Sequence, residues 1–176
     1  MDFTTALGRL LHDGGLRDAF RENSTALIDA WDLRDDERAA ALALDADDLD
    51  FQAQVLIRKR FTQTANIIPR TCEELGGNAW PAFLAYARAY WPEHARKELK
   101  DAHDFCLFVK QNHPGALCMA EFNRVRFLLG ARHFALHFPR HFTGRNRRRR
   151  SLQILFRTPG GTWREWIVRP GLGRRA

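Results

Sequence analysis

Arginine is the side chain whose number and spacing most clearly suggest chemistry in this 176-residue chain. Residues 132–176 contain 12 arginines but a single acid, Glu165, and four of the arginines are consecutive at Arg147–Arg150. Guanidinium groups pair in bidentate fashion with carboxylates and with phosphates. The pattern therefore predicts an anionic ligand, either an acidic polypeptide or a nucleic acid. The run Arg147–Arg150 is also compatible with a solvated loop that binds nothing, since charge runs commonly serve solubility alone.

The charge is divided unevenly along the chain. Residues 1–76 hold 9 Lys/Arg against 15 Asp/Glu, whereas residues 77–176 hold 19 against 6. Part of the acidity in the first half is explained by helix starts such as Asp35, Asp36 and Glu37, where the helix dipole favours carboxylates. The strongly basic second half is the part that predicts a binding surface.

The histidines and cysteines do not predict a metal centre. His133, His137 and His141 are spaced by four, but the first two fall on a predicted strand and lie about 13 Å apart by strand rise. The cysteines, which form no CxxC pair, are interpreted as buried or half-buried free thiols; they are Cys72, Cys106 and Cys118. No GxSxG, HExxH, Walker or GxGxxG motif is present. The chain is therefore predicted to bind no cofactor and to have no catalytic residues of its own.

The elements that must position the arginines are strands. Near the C-terminus the period of the apolar residues changes from 3.6 to 2 in three segments, which are 133–138, 152–157 and 163–168. Thr158-Pro159-Gly160-Gly161 predicts a hairpin turn between the last two. We expect a three-stranded antiparallel β-meander.

Helices are expected before these strands. Apolar stripes at helical spacing recur from residue 3 to residue 129, with Asp2, Asn23 and Asp45 as N-caps. Gly76-Gly77 marks a boundary. The predicted fold class is α+β, with an N-terminal helical domain (1–77) and C-terminal helices packed on the three-stranded sheet (78–176). No segment predicts a signal peptide or a membrane span, so a cytoplasmic location is expected.

A small meander has two open edges, and an open edge can pair with an incoming peptide strand. The candidate edges are Arg132–Phe138 and Thr162–Val168. We expect Arg132, Arg157 and Arg164 to hold the acidic side chains of such a peptide. The remaining predicted contact residues lie on the same two strands, with the two tryptophans on opposite faces; they are His133, Phe134, Leu136, Trp163 and Trp166.

Three helical segments together resemble a known family. Their motifs include Leu7-Gly8-Arg9-Leu10-Leu11-His12-Asp13, Leu56-Ile57-Arg58-Lys59-Arg60 with Ile68-Pro69-Arg70-Thr71, and Phe83-Leu84-Ala85-Tyr86-Ala87 with Tyr90-Trp91-Pro92. In this order they resemble the accessory subunits of multinuclear non-haem iron oxidative enzymes that modify ribosomally made peptides. Within that family the chain is most similar to the accessory subunit of the 3-thiaglutamate pathway, where the complex excises the β-carbon of a C-terminal cysteine. The methanobactin pathway uses a related two-protein arrangement.

The resemblance implies a division of labour in a heterodimer. Iron and oxygen chemistry belong to the partner enzyme, while the accessory chain binds that enzyme and the acidic leader of the precursor peptide. The resemblance covers about the first 110 residues and identifies no residues that contact the leader. The contact residues named above therefore depend on the strand-edge argument alone.

Two other function classes remain open. A nucleic-acid-binding regulator would suit the net charge of +7 and the pI near 10. The acidic first half and the lack of a clear recognition helix argue against it. A free-standing enzyme would need a pocket of converging titratable groups, which the sequence does not predict.

Overall fold

The fold was analysed in a computed structural model that describes residues 1–88, 90–92, 95–138, 140–143 and 147–168, with backbone only for 140–143 and 147–150. The chain forms two compact units. The first comprises Met1–Gln63 and Gly77–Glu93, and the second comprises Thr64–Gly76 and His94–Ala176.

The first unit is helical. Its helices are α1 (Phe3–His12), α2 (Gly14–Asp29), α3 (Asp35–Leu42), most of α4 (Ala46–Ile67) and α6 (Ala79–Ala87). Helices α1 to α4 contribute to a cluster of buried apolar side chains, which are Leu10, Phe20, Ile28, Ala41 and Leu49. No helix in the described part of the chain combines the length and the apolar character that a membrane crossing requires.

The second unit combines helices with strands. It contains the end of α4, α5 (Pro69–Leu75), α7 (Lys97–Asn112), α8 (Met119–Leu129), β1 (Phe134–His137), β2 (Arg140–Thr143), β3 (Arg147–Arg150), β4 (Leu152–Arg157) and β5 (Trp163–Val168). Short 3-10 turns occur at Gly76–Asn78 and Pro114–Ala116. The α+β class and the order of helices followed by a sheet are confirmed.

The contacts group the chain differently from the predicted division into 1–77 and 78–176. Residues 64–76 belong with the sheet-bearing unit, and residues 77–93 belong with the first. Residues 64–76 contact the sheet-bearing unit because the start of α5 is held by a side chain from α8, as described below. The predicted division into independent domains stays a prediction.

Three predicted N-caps are confirmed by hydrogen bonds. The Asp2 carboxylate accepts from the N–H of Thr5 at 2.7 Å, and Asn23 Oδ1 accepts from the N–H of Ala26 at 3.0 Å. Asn23 itself has non-helical angles (φ −156°, ψ 83°), so α2 is two helices joined at this cap. Asp45 Oδ1 accepts from the N–H groups of Asp47 and Asp48, in the first turn of α4, at 2.8 and 3.0 Å. Each cap satisfies N–H groups that have no partner within their helix.

Helix α5 begins at Pro69, a residue type that is tolerated in the first turn of a helix. Its N–H groups are satisfied by Glu121 of α8, whose carboxylate accepts from the N–H groups of Arg70 and Thr71, both at 2.9 Å. The Thr71 hydroxyl donates to the same carboxylate at 2.8 Å. Glu121 is buried away from water, and these three donors at the start of α5 replace the hydrogen bonds that its carboxylate would make to solvent.

The predicted meander is confirmed as an antiparallel sheet in the order β1-β4-β5. Phe134 lies opposite Phe156, and Ile154 lies opposite Trp166. The turn between β4 and β5 has the expected glycine chemistry: Gly161 has a φ of +79°, and its N–H donates to the Thr158 carbonyl at 2.9 Å.

The arginine run is not the loop considered above, because Arg147–Arg150 forms β3, which pairs antiparallel with β2. Arg140 lies opposite Arg150 in the same register that places Phe134 opposite Phe156. The β2–β3 pair, which we term the arginine ribbon, forms a separate two-stranded sheet with the same register as the β1–β4 pair. It was not predicted, since a strand of four arginines has no alternation of apolar and polar residues.

Candidate peptide-binding sheet

One face of the three-stranded sheet is fixed against α8. The buried contact consists of Phe127 from α8, Ala135 from β1 and Leu155 from β4. Beside it the Gln153 side chain is fully buried and donates to the Ala120 carbonyl at 2.7 Å. These contacts hold the central strand, so β1 and β5 are presented on a rigid support.

Each outer strand has one strand neighbour among the described residues, so each carries a row of outward backbone groups. The Arg157 N–H donates to the His133 carbonyl at 2.8 Å, which makes this pair a hydrogen-bonded one. Antiparallel pairs alternate, so the N–H and C=O groups of Phe134 and Leu136 point away from β4. These groups form the available edge of β1.

The same alternation assigns the edge of β5. The Thr158 N–H donates to the Thr162 carbonyl at 2.7 Å, so the next pair along the ladder is not hydrogen-bonded. The outward groups of β5 therefore belong to Trp163, Glu165 and Ile167. Both candidate edges are confirmed as outer strands of the sheet.

Most predicted contact residues are exposed around these edges. Arg132 and His133 lie exposed just before β1, and Arg164 is exposed on β5. Register places Trp163 and Trp166 on opposite faces, as expected, and both remain accessible, at 39% and 60% of their surface. Phe134 and Leu136 are also exposed, at 59% and 46%. The sheet thus brings seven of the eight predicted residues to accessible positions.

Arg157 is the exception, because its guanidinium is engaged by backbone carbonyls of the protein itself. Its Nη2 donates to the carbonyls of Phe127, Leu128 and Gly130 at 3.4, 3.1 and 2.9 Å. The guanidinium also lies 5.5 Å from the centre of the Phe127 ring. Arg157 therefore satisfies the carbonyl end of α8, where a cation is stabilised by the helix dipole. A count of arginines cannot distinguish such a residue from one that meets a ligand.

The local field at the sheet is positive. The sole acid of residues 132–176, Glu165, is engaged by Arg124, 3.5 Å away, and by Gln153 at 2.7 Å. Burial lowers the pKa of His137, and the positive charges of Arg126 and Arg132 lower it further. Arg126 was not predicted as a site residue, because it belongs to α8 and is brought near β1 only by the packing of that helix on the sheet. Charge therefore favours the β1 edge for an anionic ligand.

The cysteines are free, as predicted, with Cys106 buried and Cys72 and Cys118 half-buried. Burial raises the pKa of the Cys72 thiol to about 11 and also raises the pKa values of the other two. These thiols are therefore protonated near neutral pH. Among the described residues, no group of three or more His, Cys, Asp or Glu side chains is arranged to hold a metal ion.

One comparison with known proteins gives a match. Residues 42–110 match the family model SCO6045-like, C-terminal domain. The matched segment runs from the last residue of α3 into α7 and does not include the sheet. No curated protein and no solved structure matches the chain.

Proposed function

We propose that this chain is a non-catalytic accessory subunit that captures the acidic leader of a ribosomally made precursor peptide and presents it to a partner multinuclear iron oxidative enzyme. The observation that carries the proposal is an outer strand, β1, with outward N–H and C=O groups in a positive field. A peptide strand can be captured by such an edge without any pocket that fixes its whole sequence.

The capture would use the backbone first. Phe134 and Leu136 offer two outward N–H and two outward C=O groups, so an antiparallel peptide can form ladder hydrogen bonds with them. Arg132 lies at the start of this edge, where its guanidinium can pair with a glutamate or aspartate of the peptide. Selection for acidic leaders would follow from charge, while the modified residue lies elsewhere in the precursor.

The wider assignment is supported by the helical part of the chain. The family-model match at 42–110 overlaps two of the three segments that resemble iron-enzyme accessory subunits. In this proposal iron and oxygen chemistry are supplied by the partner, and the reaction is excision of the β-carbon of a C-terminal cysteine, as in 3-thiaglutamate biosynthesis. This chain contributes positioning of the precursor.

Co-purification tests the accessory role directly. An iron oxidative enzyme and a short precursor peptide from reading frames beside this gene are co-expressed with the chain, and complexes are isolated by size-exclusion chromatography. We expect a ternary complex that loses the precursor when its leader is deleted. A chain that binds neither the enzyme nor the precursor would contradict the proposal.

A nucleic-acid role is the second candidate, and the arginine ribbon is the observation that favours it. Register pairs Arg140 with Arg150 and Phe142 with Arg148, so basic residues belong to both strands of this ribbon. Two-stranded ribbons are also used to read DNA grooves.

Changing Arg147–Arg150 to glutamate distinguishes the two candidates. Under the accessory-subunit proposal, affinity for an acidic peptide falls in a salt-dependent way. Generic DNA or RNA binding that is abolished by the same change, with a steep dependence on salt, would support the regulator instead. Unchanged affinity for both ligands would assign the run to solubility.

A further inference from the structure

The face of the sheet opposite α8 is largely apolar, and its described side chains on the two outer strands are exposed. Residues that alternate with the α8-facing ones form three rows across the strands, and we call this surface the open face. Its described members are Phe134, Leu136, Phe138, Leu152, Ile154, Phe156, Arg164, Trp166 and Val168. The side chains on β4 are half-buried by their neighbours, whereas those on the outer strands are exposed, with Val168 at 52%. Large apolar side chains that lie exposed side by side on a sheet indicate an interaction site.

We infer that the open face is the docking site for an amphipathic helix of another protein, with acidic residues flanking its apolar stripe. This mode of binding differs from strand addition, because it uses side chains of the open face rather than outward backbone groups, although Phe134, Leu136, Arg164 and Trp166 belong to both sets of residues. The inference holds whichever edge receives a peptide.

The dimensions suit a single helix. Three strands span about 10 Å from β1 to β5, which is close to the diameter of a helix with its side chains. On the other face one helix, α8, packs against the same sheet with 11 residues. A helix of about three turns would therefore cover the three rows of the open face in the same way.

The chemistry of the rows favours apolar side chains over nucleic-acid bases. The Trp166 and Phe156 rings make an edge-to-face contact, with centroids 5.2 Å apart and an interplanar angle of 69°, so the two rings do not form one flat platform. The middle row adds the aliphatic side chains of Leu136 and Ile154. Base stacking needs flat aromatic platforms, whereas these alternating rings and branched chains accept leucine and similar residues.

Charge determines the flanks of the partner. Arg164 is the only charged side chain among the described members of the open face, and Arg132 lies exposed just before β1. Two copies joined through this face would bring two of these basic sheets together, which charge repulsion disfavours. A helix with glutamates on both sides of its apolar stripe would instead complement the arginines.

The test uses the full chain and a synthetic probe. The probe is a stapled helix of about three turns with a leucine stripe flanked by glutamates, and its matched control carries lysines in place of the glutamates. Binding is followed by fluorescence anisotropy, and methyl NMR reports on Leu136, Ile154 and Val168. We expect the acidic helix to bind at least about tenfold more tightly than the basic one and to shift these methyl signals.

Two exposed-residue variants localise the binding. Trp166→Ser and Leu136→Ser should each weaken the acidic helix by about tenfold or more, with unchanged circular dichroism. A Trp163→Thr variant, which alters the α8-facing side of β5, should bind as the wild type does. No binding of the acidic helix, or shifts outside the open face, would overturn the inference. So would preferential binding of an oligo-dT strand, or a wild-type dimer that Trp166→Ser dissociates.

Discussion

The Arg157 guanidinium donates from Nη2 to the Gly130 carbonyl at 2.9 Å, which joins the end of β4 to the end of α8. This contact separates two arginines that look alike in the sequence. Arg157 supports the sheet from the α8 side, whereas Arg164, opposite Phe156 on β5, is exposed. The positive charge of the C-terminal segment is therefore divided between structural support, at Arg157, and exposed positions such as Arg164.

The first prediction compares Arg157→Ala with Arg164→Ala. Loss of Arg157 removes donors from the end of α8 and should lower the free energy of unfolding by about 2 kcal/mol. Loss of Arg164, whose side chain is exposed on β5, should change stability by less than about 0.5 kcal/mol. Urea unfolding of both variants checks this. Equal effects of the two variants on stability would contradict the division.

The second prediction concerns Glu121. Glu121→Gln removes the charge and one of the acceptor oxygens that hold the start of α5, so we expect a loss of about 2 kcal/mol in unfolding free energy. Glu73→Gln, at an exposed position of α5, is the matched control and should change stability by less than about 0.5 kcal/mol. Similar stabilities of the two variants would show that the buried carboxylate does not hold α5.

The third prediction uses two glycines of the first unit. A Cβ at Gly8, inside α1, would meet no atom within 4 Å, so Gly8→Ala should stabilise by about 1 kcal/mol through helix propensity. A Cβ at Gly14 would lie 2.7 Å from Arg88 Cγ and 3.1 Å from the Arg88 carbonyl oxygen. Gly14→Ala should therefore destabilise by about 1 to 2 kcal/mol. Thermal unfolding distinguishes the signs, and a stabilising Gly14→Ala would contradict the close approach.

The fourth prediction concerns the pH dependence of His137. Because its pKa in the folded protein is lowered below 6.5, the folded state takes up this proton less readily than the unfolded state. The contribution to stability is therefore full above pH 6.5 and declines as the pH falls below it. His137→Gln should show a smaller loss of stability between pH 7.5 and 5.5 than the wild type. An acidic peptide at β1 should raise the pKa of His137, which an NMR titration measures directly.

The fold was predictable where local chemistry determined it. Caps at Asp2, Asn23 and Asp45 and the change of apolar period at residue 133 marked helices and strands correctly. Helix α5 was not predicted as a separate helix, because the residue that caps its start, Glu121, lies 50 positions after Thr71 in the sequence. The arginine ribbon was not predicted because its residues have no alternation of apolar and polar side chains. Its register is the same as that of the β1–β4 pair.

The candidate site was predictable only where local strand geometry determined it. Alternation identified the two edges and the faces of Trp163 and Trp166, since strand geometry is local. The engagement of Arg157 by α8 and the proximity of Arg126 to β1 arise from tertiary packing, which a single sequence does not encode in any short pattern.

The central claim is strand addition at β1, and a proline scan of the outward N–H groups tests it most directly. Leu136→Pro removes an outward donor of β1, and Leu136→Thr is the control that changes the side chain but keeps the N–H. Trp163→Pro and Trp163→Thr form the same pair at β5. The affinity of each variant for a peptide of alternating glutamate and valine is measured by calorimetry.

We predict that Leu136→Pro weakens this peptide by at least about tenfold while Leu136→Thr and both Trp163 variants stay within about threefold of the wild type. Loss of binding only in Trp163→Pro would place the peptide on β5. Wild-type affinity in both proline variants would contradict capture by either edge of the sheet.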